Sequence, residues 1–303
     1  GLTSHTRSHK DDQRFRKMAD QAPVMLWMTD ATGRCVFLNQ RWNEFRGRPL
    51  TQELGDGWQD GLHPEDRERC LATFQRTLRD RESFSIEYRM LRWDGDHRWL
   101  LDTGVPQFDR DGEFVGFIGS CVDITDRRRW EEGLRQRDRL LDAVAHATNL
   151  LLTSDDLGVI MPSTLRCLGE AMGVSRAYMF ENHAHPQSGA PLMSQRYEWC
   201  REGVAPQIEN PDMQAMPYDP GFTRLLKLLQ AGKSYSGLVR DFPDSERLFL
   251  EVQNIRSILC VPIHTRDRLW GFVGFDDCQH DRIWAANDEA LLIAMAGSMG
   301  AAI

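Results

Sequence analysis

No run of eighteen or more apolar residues occurs in this chain of 303 residues, so nothing in the sequence has the length to span a membrane. The opening stretch from Gly1 to Lys10 has no apolar core, which excludes a signal peptide and leaves a polar lead-in. No C-x-x-C pair is present. The seven cysteines, Cys35, Cys70, Cys121, Cys167, Cys200, Cys260 and Cys278, are odd in number and scattered, which fits reduced thiols in the cytosol better than a disulfide framework. There is no Walker loop, no G-x-S-x-G, no H-E-x-x-H and no protein-kinase set. A Gly-Gly-Asp/Glu-Glu-Phe site is absent too, and His146 lacks the following acid of a phospho-accepting box. No catalytic residue and no metal site is therefore expected; the pairs His183/His185 and Cys278/His280 have no further ligands beside them. A formal net charge of −8 argues against a nucleic-acid surface, and Arg127, Arg128 and Arg129 read as a solvated helix face.

What is present fits a globular α+β protein, with 41% hydrophobic and 27% charged residues over a length ample for two domains. Pro23 to Thr29 reads as a strand, Asp30 to Gly33 as a turn and Arg34 to Leu38 as the hairpin partner. Asn39 opens a short helix that Gly47 ends. A longer helix starts at His63-Pro64-Glu65-Asp66, because proline and acids suit a first helical turn. Strands over 83–91, 97–107 and 114–122 follow, joined by turns at Asp94-Gly95 and at Asp109 to Gly112. In the second half, Ser154 or Asp155 is placed to cap a helix that Gly173 ends. Strands are expected over 174–181, 193–200, 255–263 and 269–276, and helices over 222–230, 245–253 and 286–303. The proline-rich segment 202–220 is expected to be a long loop or short helix.

Between the halves, the glycine-punctuated strand from Phe114 to Val122 runs into Asp123-Ile124-Thr125 and then a charged helix. Thr125 can cap that helix, and Asp126 adds negative charge at its positive end. Trp130, Leu134, Leu141, Val144 and Leu151 follow at spacings of four, seven, three and seven, with Arg137 and Thr148 on the skipped positions. This is a short, imperfect coiled-coil seam of the kind that pairs with a second copy. The expected organisation is a lead-in over 1–14, a first domain over 15–126, a helical linker over 127–152 and a second domain over 153–303. Both ends read as cut from a longer protein, since the last helix stops at Ile303 without a capping residue.

The first domain resembles a PAS domain. The residues that carry the likeness are Trp27-x-Thr-Asp-x-x-Gly33, Phe37-Leu-Asn-Gln-Arg-Trp42, His63-Pro-Glu-Asp-Arg67, Glu87-Tyr-Arg-Met-Leu-Arg92, Trp99-Leu-x-x-x-Gly-x-Pro106 and Gly119-x-x-x-Asp-Ile-Thr125. The resemblance implies a five-stranded antiparallel sheet cupped by helices around a cavity. The second domain resembles a GAF domain through Ser257-Ile-Leu-Cys-Val-Pro-Ile263, Trp270-Gly-Phe-Val-Gly-Phe-Asp276 and a final helix with Asp288-Glu289 and Leu291-Leu292. That implies another antiparallel sheet with flanking helices, in a family that binds cyclic nucleotides, bilins, haem or other small molecules, or nothing known.

The resemblances leave the cofactor unknown. Cys35 lies on a strand, outside the arrangement in which a thiol attacks flavin, and His63 belongs to a helix start and not to a haem ligand position. Asp219-Pro220-Gly221-Phe222 offers no thiol for a bilin. Asp276-Asp277 with Asn287-Asp288-Glu289 matches only the end of a cyclic-nucleotide element. Candidate ligand-lining residues are Trp27, Phe37, Trp42, Trp58, Tyr88 and Trp99 in the first domain and Tyr197, Trp199, Phe222, Tyr235 and Asp276 in the second, because aromatic walls with a polar group orient a ligand. Asp123 and Thr125 are expected to carry the signal, and Trp130, Leu134, Leu141 and Val144 to hold a homodimer. The implied role is the sensory region of a cytoplasmic signalling protein that responds to an unidentified small molecule or redox state. Its output domain, a histidine kinase or a diguanylate cyclase, would lie outside this chain. The alternative is a ligand-free dimerisation scaffold. No nucleic acid and no membrane enters either expectation.

Overall fold

The computed structural model describes residues 13–153, 156–266 and 268–303. The lead-in before residue 13 and the expected caps Ser154 and Asp155 lie outside the described residues. The chain divides into two units, Gly1–Glu131 and Glu132–Ile303.

In the first unit, α1 (residues 13–20) precedes β1 (Met25–Thr29) and β2 (Cys35–Leu38). Next come α2 (Gln40–Arg46), α3 (Leu50–Glu53), a 3-10 turn (Gly57–Gly61) and α4 (Pro64–Asp80). β3 (Phe84–Leu91), β4 (His97–Phe108) and β5 (Phe114–Asp123) complete a sheet of order β2-β1-β5-β4-β3, antiparallel throughout. Aspartates make its turns. Asp30 Oδ1 accepts from the N–H groups of Thr32 and Arg34, and Asp109 Oδ1 from those of Asp111 and Glu113. Gly33 and Gly112 close these turns at φ of 86° and 83°, where a Cβ would be strained. His63 caps α4 by accepting from the Glu65 N–H at its ring Nδ1, with Pro64 first in the helix. The buried Asn39 amide joins three elements: it accepts from the N–H of Leu26 and Trp42 and donates to the carbonyls of Ala19 and Val24.

The long helix α5 (Thr125–Thr153) begins in the first unit and ends in the second. α6 (Leu157–Met172) follows, capped by the Asp156 carboxylate and ended by Gly173 at φ 65°. The sheet of the second unit is built from β6 (Arg176–Ala184), β7 (Pro191–Cys200), β8 (Met216–Pro217), β9 (Tyr235–Leu238), β10 (Ser257–His264) and β11 (Leu269–Asp277) in the order β8-β7-β6-β11-β10-β9. One face carries Ala177, Met179, Val261, Val273 and Phe275 and packs against α5, α6 and α9 (Ala286–Ala302). The other carries Tyr178, Phe180, Cys260 and Phe272 and packs against α7 (Thr223–Gln230) and α8 (Asp244–Val252). Burial on both faces is why β10 and β11 read as unbroken apolar runs. The four-residue β9 lacks such a run and is not visible in the sequence.

Helix α5 has two apolar faces. Leu140, Ala143, Ala147 and Leu151 recur at the helical period and are buried in the core of the second unit. Val144 is half-buried against that same core. The expected seam therefore needs correction: Val144 and Leu151 belong to the domain core, because at 3.6 residues per turn the helix drifts away from a strict heptad. Trp130, Leu134 and Leu141 remain outside, at 79%, 61% and 43% exposure.

Candidate sensory sites

Inward residues of β1, β3 and β4 meet α2 and α4 around a cavity with about 30 Å³ of free space, enough for one or two waters. Trp27, Trp42, Trp58 and Tyr88 line it together with Phe74, Phe84 and Asp102. Gly104 and Gly119 let the Trp27 indole lie on the sheet; a Cβ on Gly119 would fall 2.2 Å from that ring. Phe37 and Trp99 do not line the cavity. A register shift between Met28 and Thr29 sets Phe37 opposite the outward Met28, where its ring meets Phe15 at 5.4 Å. Trp99 alternates with the inward Leu100 and lies beneath the Arg128 guanidinium, 3.9 Å from its ring centroid.

Asp102 is the residue that sequence reasoning missed. Its Oδ1 accepts from Trp27 Nε1 at 2.8 Å and its Oδ2 from the Tyr88 hydroxyl at 2.9 Å, while that hydroxyl lies 3.7 Å from Cys121 Sγ. Burial lifts the carboxyl from 3.8 to a pKa of about 6, against the lowering effect of the two donors. Its stabilising contribution is therefore fully present below about pH 4 and is lost as pH rises to about 6, because the folded state holds the proton longer than the unfolded chain. The signal was the parity of β4: Leu100, Asp102 and Gly104 share the inward face, which makes a lone acid there a buried one.

Three residues from Asp102 along β4, the strand is fastened to α5. The Trp99 N–H donates to Thr125 Oγ1 at 2.8 Å, and the Ile124 N–H donates to the Trp99 carbonyl at 2.8 Å. Asp123 Oδ1 accepts from the Thr125 N–H and its Oδ2 from Arg98 Nε, both at 2.9 Å. Thr125 thus does not cap α5 as expected. Its hydroxyl is spent on the strand, and Asp123 supplies the acceptor for the first helical N–H. Burial opposes ionisation of Asp123, but the Thr125 N–H and Arg98 outweigh it and hold the carboxyl below the usual range. Arg128 adds an ion pair to Glu87 at 2.5 Å, beside Tyr88 on β3.

The second unit has its own cavity, between the sheet and α7 and α8, with about 50 Å³ of free space. Phe222, Tyr235 and Asp276 line it, as expected, with Arg176, Tyr178 and Gln195. Tyr197 and Trp199 do not. They pack on the opposite face against the helical core, and Trp199 presses on Gly169 of α6 so closely that a Cβ there would be 2.3 Å from the ring. A bulge explains the difference. The β6–β7 register shifts between Met179 and Phe180, so Tyr197 pairs with the helix-facing Met179 and Gln195 with the cavity-facing Phe180. Asp276 Oδ1 accepts from the Tyr178 hydroxyl at 2.8 Å, and Arg176 Nε lies 3.4 Å from Asp276 Oδ2. Burial lifts the Asp276 carboxyl to a pKa of about 7, against Arg176 and Tyr178. Among the described residues no group of three or more His, Cys, Asp or Glu side chains is placed to hold a metal ion, and no helix is long and apolar enough to cross a membrane.

Residues 35–121 match the family model of the PAS fold, and residues 156–303 match that of the GAF domain. The methanogenesis regulatory histidine kinase FilI of Methanothrix harundinacea is 38% identical over 291 residues, covering 96% of this chain and 32% of that protein. The uncharacterized protein y4lL of Sinorhizobium fredii is 39% identical over 123 residues, 41% of this chain and 15% of its own length. The chain thus spans about a third or less of these relatives. A solved sensory box histidine kinase/response regulator from Burkholderia thailandensis is 32% identical, with 43% of this chain and 98% of that chain covered at a TM-score of 0.33. The two family matches fall one in each compact unit: residues 35–121 belong to a PAS domain and residues 156–303 to a GAF domain, with the long helix α5 between them.

Proposed function

We propose that this chain is the sensory region of a cytoplasmic signal-transduction protein, in which the state of the PAS cavity sets the packing of the first turns of α5. One observation carries the reading. β4 contributes Asp102 to the cavity and, three residues earlier, the Trp99 N–H that holds Thr125. A change that moves β4 at Asp102 has a short, hydrogen-bonded path to the helix, and a ligand or redox event shifts the population only through such differential contacts. The output domain is a histidine kinase, in keeping with the name of the Methanothrix relative, or a diguanylate cyclase. The working unit is a homodimer joined through Trp130, Leu134 and Leu141 on the outward stripe of α5.

The small free space in the PAS cavity favours a second reading, in which neither domain binds a ligand and both act as dimerisation scaffolds. Native mass spectrometry with an absorbance spectrum, on protein purified from its own host, separates the two. A bound mass, or a flavin or haem band, is the result expected of a sensor. A bare dimer with a featureless visible spectrum favours the scaffold.

A further inference from the structure

Two histidines that line neither cavity meet at the start of α4. The His63 and His97 rings lie edge to face with centroids 4.7 Å apart, His63 as the cap of α4 and His97 as the first residue of β4. His63 Nδ1 accepts from the Glu65 N–H at 3.3 Å, and the His63 N–H donates to the Arg89 carbonyl of β3 at 3.0 Å. An imidazole accepts at Nδ1 only while that nitrogen carries no proton, so the cap requires the neutral ring with its proton on Nε2. The same Nδ1 lies 3.9 Å from Glu65 Oε2. A proton on it sets N–H against N–H at the cap and offers the Glu65 carboxylate a cation.

The charges around the pair give it two arrangements. Glu65 and Asp66 of α4 face it, and Arg89 of β3 holds both: its Nη2 donates to Glu65 at 2.7 Å and its Nε to Asp66 at 2.8 Å. Arg46 of α2, tied to Glu53, is the other cation that acts on His97. Burial is the largest cause that lowers His97 from 6.5, followed by His63 and Arg89; Asp66 opposes them and Arg46 adds to them. The folded chain thus takes up this proton less readily than the unfolded one, so stability is lost as pH falls below 6.5, the reverse of the sign at Asp102. Rings this close resist a second charge and titrate as a unit. Arg89 is also the link to the helix. Its guanidinium lies 5.3 Å from the centroid of Trp99, which also carries Arg128 of α5 at 3.9 Å and whose N–H holds Thr125. We propose that His63 and His97 form a proton-operated latch: protonation of His63 uncaps α4 and draws Glu65 from Arg89, which loosens Arg89 on Trp99 and alters the opening turns of α5. This adds a proton input to the sensory reading and shares with it only the junction at Trp99 and Thr125, not the cavity.

The test uses the full chain at about pH 7.5 and about pH 5.5, on either side of the ordinary histidine range. Hydrogen exchange is read as protection factors, which removes the intrinsic pH dependence, over residues 65–67 of α4 and 126–131 of α5. In the wild type, protection over 65–67 is expected to fall by about fivefold or more on acidification, with a change over 126–131 in parallel. His63→Asn keeps a capping acceptor and does not titrate. It is expected to match the wild type at the higher pH and to reduce the response of 65–67 to under about twofold. Asp102 titrates in the same range, and both chains keep it, so the latch's share of the α5 response is the difference between them. Glu65→Gln is expected to preserve the response of 65–67 and to lose that share over 126–131. An unchanged response of 65–67 in His63→Asn would overturn the latch, and a share that survives Glu65→Gln would overturn its route through Arg89. Asp102→Asn leaves the share intact if the latch is independent of the cavity, so this proposal and the cavity reading fail separately.

Discussion

Glu53→Ala is expected to destabilise the PAS domain by about 3–5 kcal/mol, a large fraction of the roughly 5–15 kcal/mol that a domain possesses. Glu53 is fully buried. Its Oε2 accepts from Trp42 Nε1 at 3.0 Å and from Arg46 Nε at 3.1 Å, and its Oε1 accepts from Arg46 Nη2 at 3.1 Å. Arg46, itself buried, also donates to the Leu91 carbonyl at the end of β3. One carboxylate thus fastens α2, α3 and the wall of the cavity. Alanine leaves a buried guanidinium without a counterion and an indole N–H without an acceptor, and both desolvation costs then stand uncompensated. Urea unfolding monitored by exchange in β1 and β5 reads the effect. The double variant Arg46→Met with Glu53→Met should recover part of the loss, since it removes both charges together. A loss below about 1 kcal/mol for Glu53→Ala would mean that the pair behaves as a surface ion pair and that the packing described for α2 and α3 is wrong.

Leu134→Asp combined with Leu141→Asp is expected to convert a dimer into a monomer, halving the mass seen by light scattering. Both side chains, with Trp130, sit on the outward stripe of α5 and are more than two-fifths exposed in the single chain. Burying four leucine side chains across a two-fold contact is worth several kcal/mol at about 25 cal/mol per Å². Replacing them with facing carboxylates reverses that gain, and dissociation should rise by at least about a thousandfold. The inward stripe Leu140, Ala143, Ala147 and Leu151 is untouched, so the GAF core should keep its exchange protection. Dimers that survive the double substitution would show that the contact lies elsewhere and that the outward stripe is not the seam.

Much of the fold is legible in the sequence because its punctuation is local. The aspartate–glycine turns at Asp30 and Asp109, the His63-Pro64 helix start and the glycine stop at Gly173 each depend on a few adjacent residues. Four of six expected residues of the PAS cavity come together for the same reason, since they follow strand and helix parity. The failures come from register. A shift beside Thr29 turns Phe37 outward, and a bulge opposite Phe180 exchanges Tyr197 and Trp199 for Gln195. Pairing between strands decides both, and one strand read alone does not contain it. Asp102 and Arg176 were missed because a charged residue on a strand reads as solvated, whereas here tertiary partners bury it. The seam along α5 was legible only in part. A heptad and a 3.6-residue period agree over Trp130 to Leu141 and diverge by Val144, where the GAF core claims the helix.

The most direct test of the transmission route is hydrogen exchange over residues 126–131, the opening turns of α5, in a double-mutant cycle at one pH. Asp102→Asn stands in for the protonated carboxyl, and Thr125→Val removes the acceptor for the Trp99 N–H. The account predicts that Asp102→Asn changes exchange in these turns by roughly fivefold or more, and that the change vanishes when Thr125 is already valine. Unaltered exchange in Asp102→Asn, or the same alteration with and without the Thr125 hydroxyl, would contradict it.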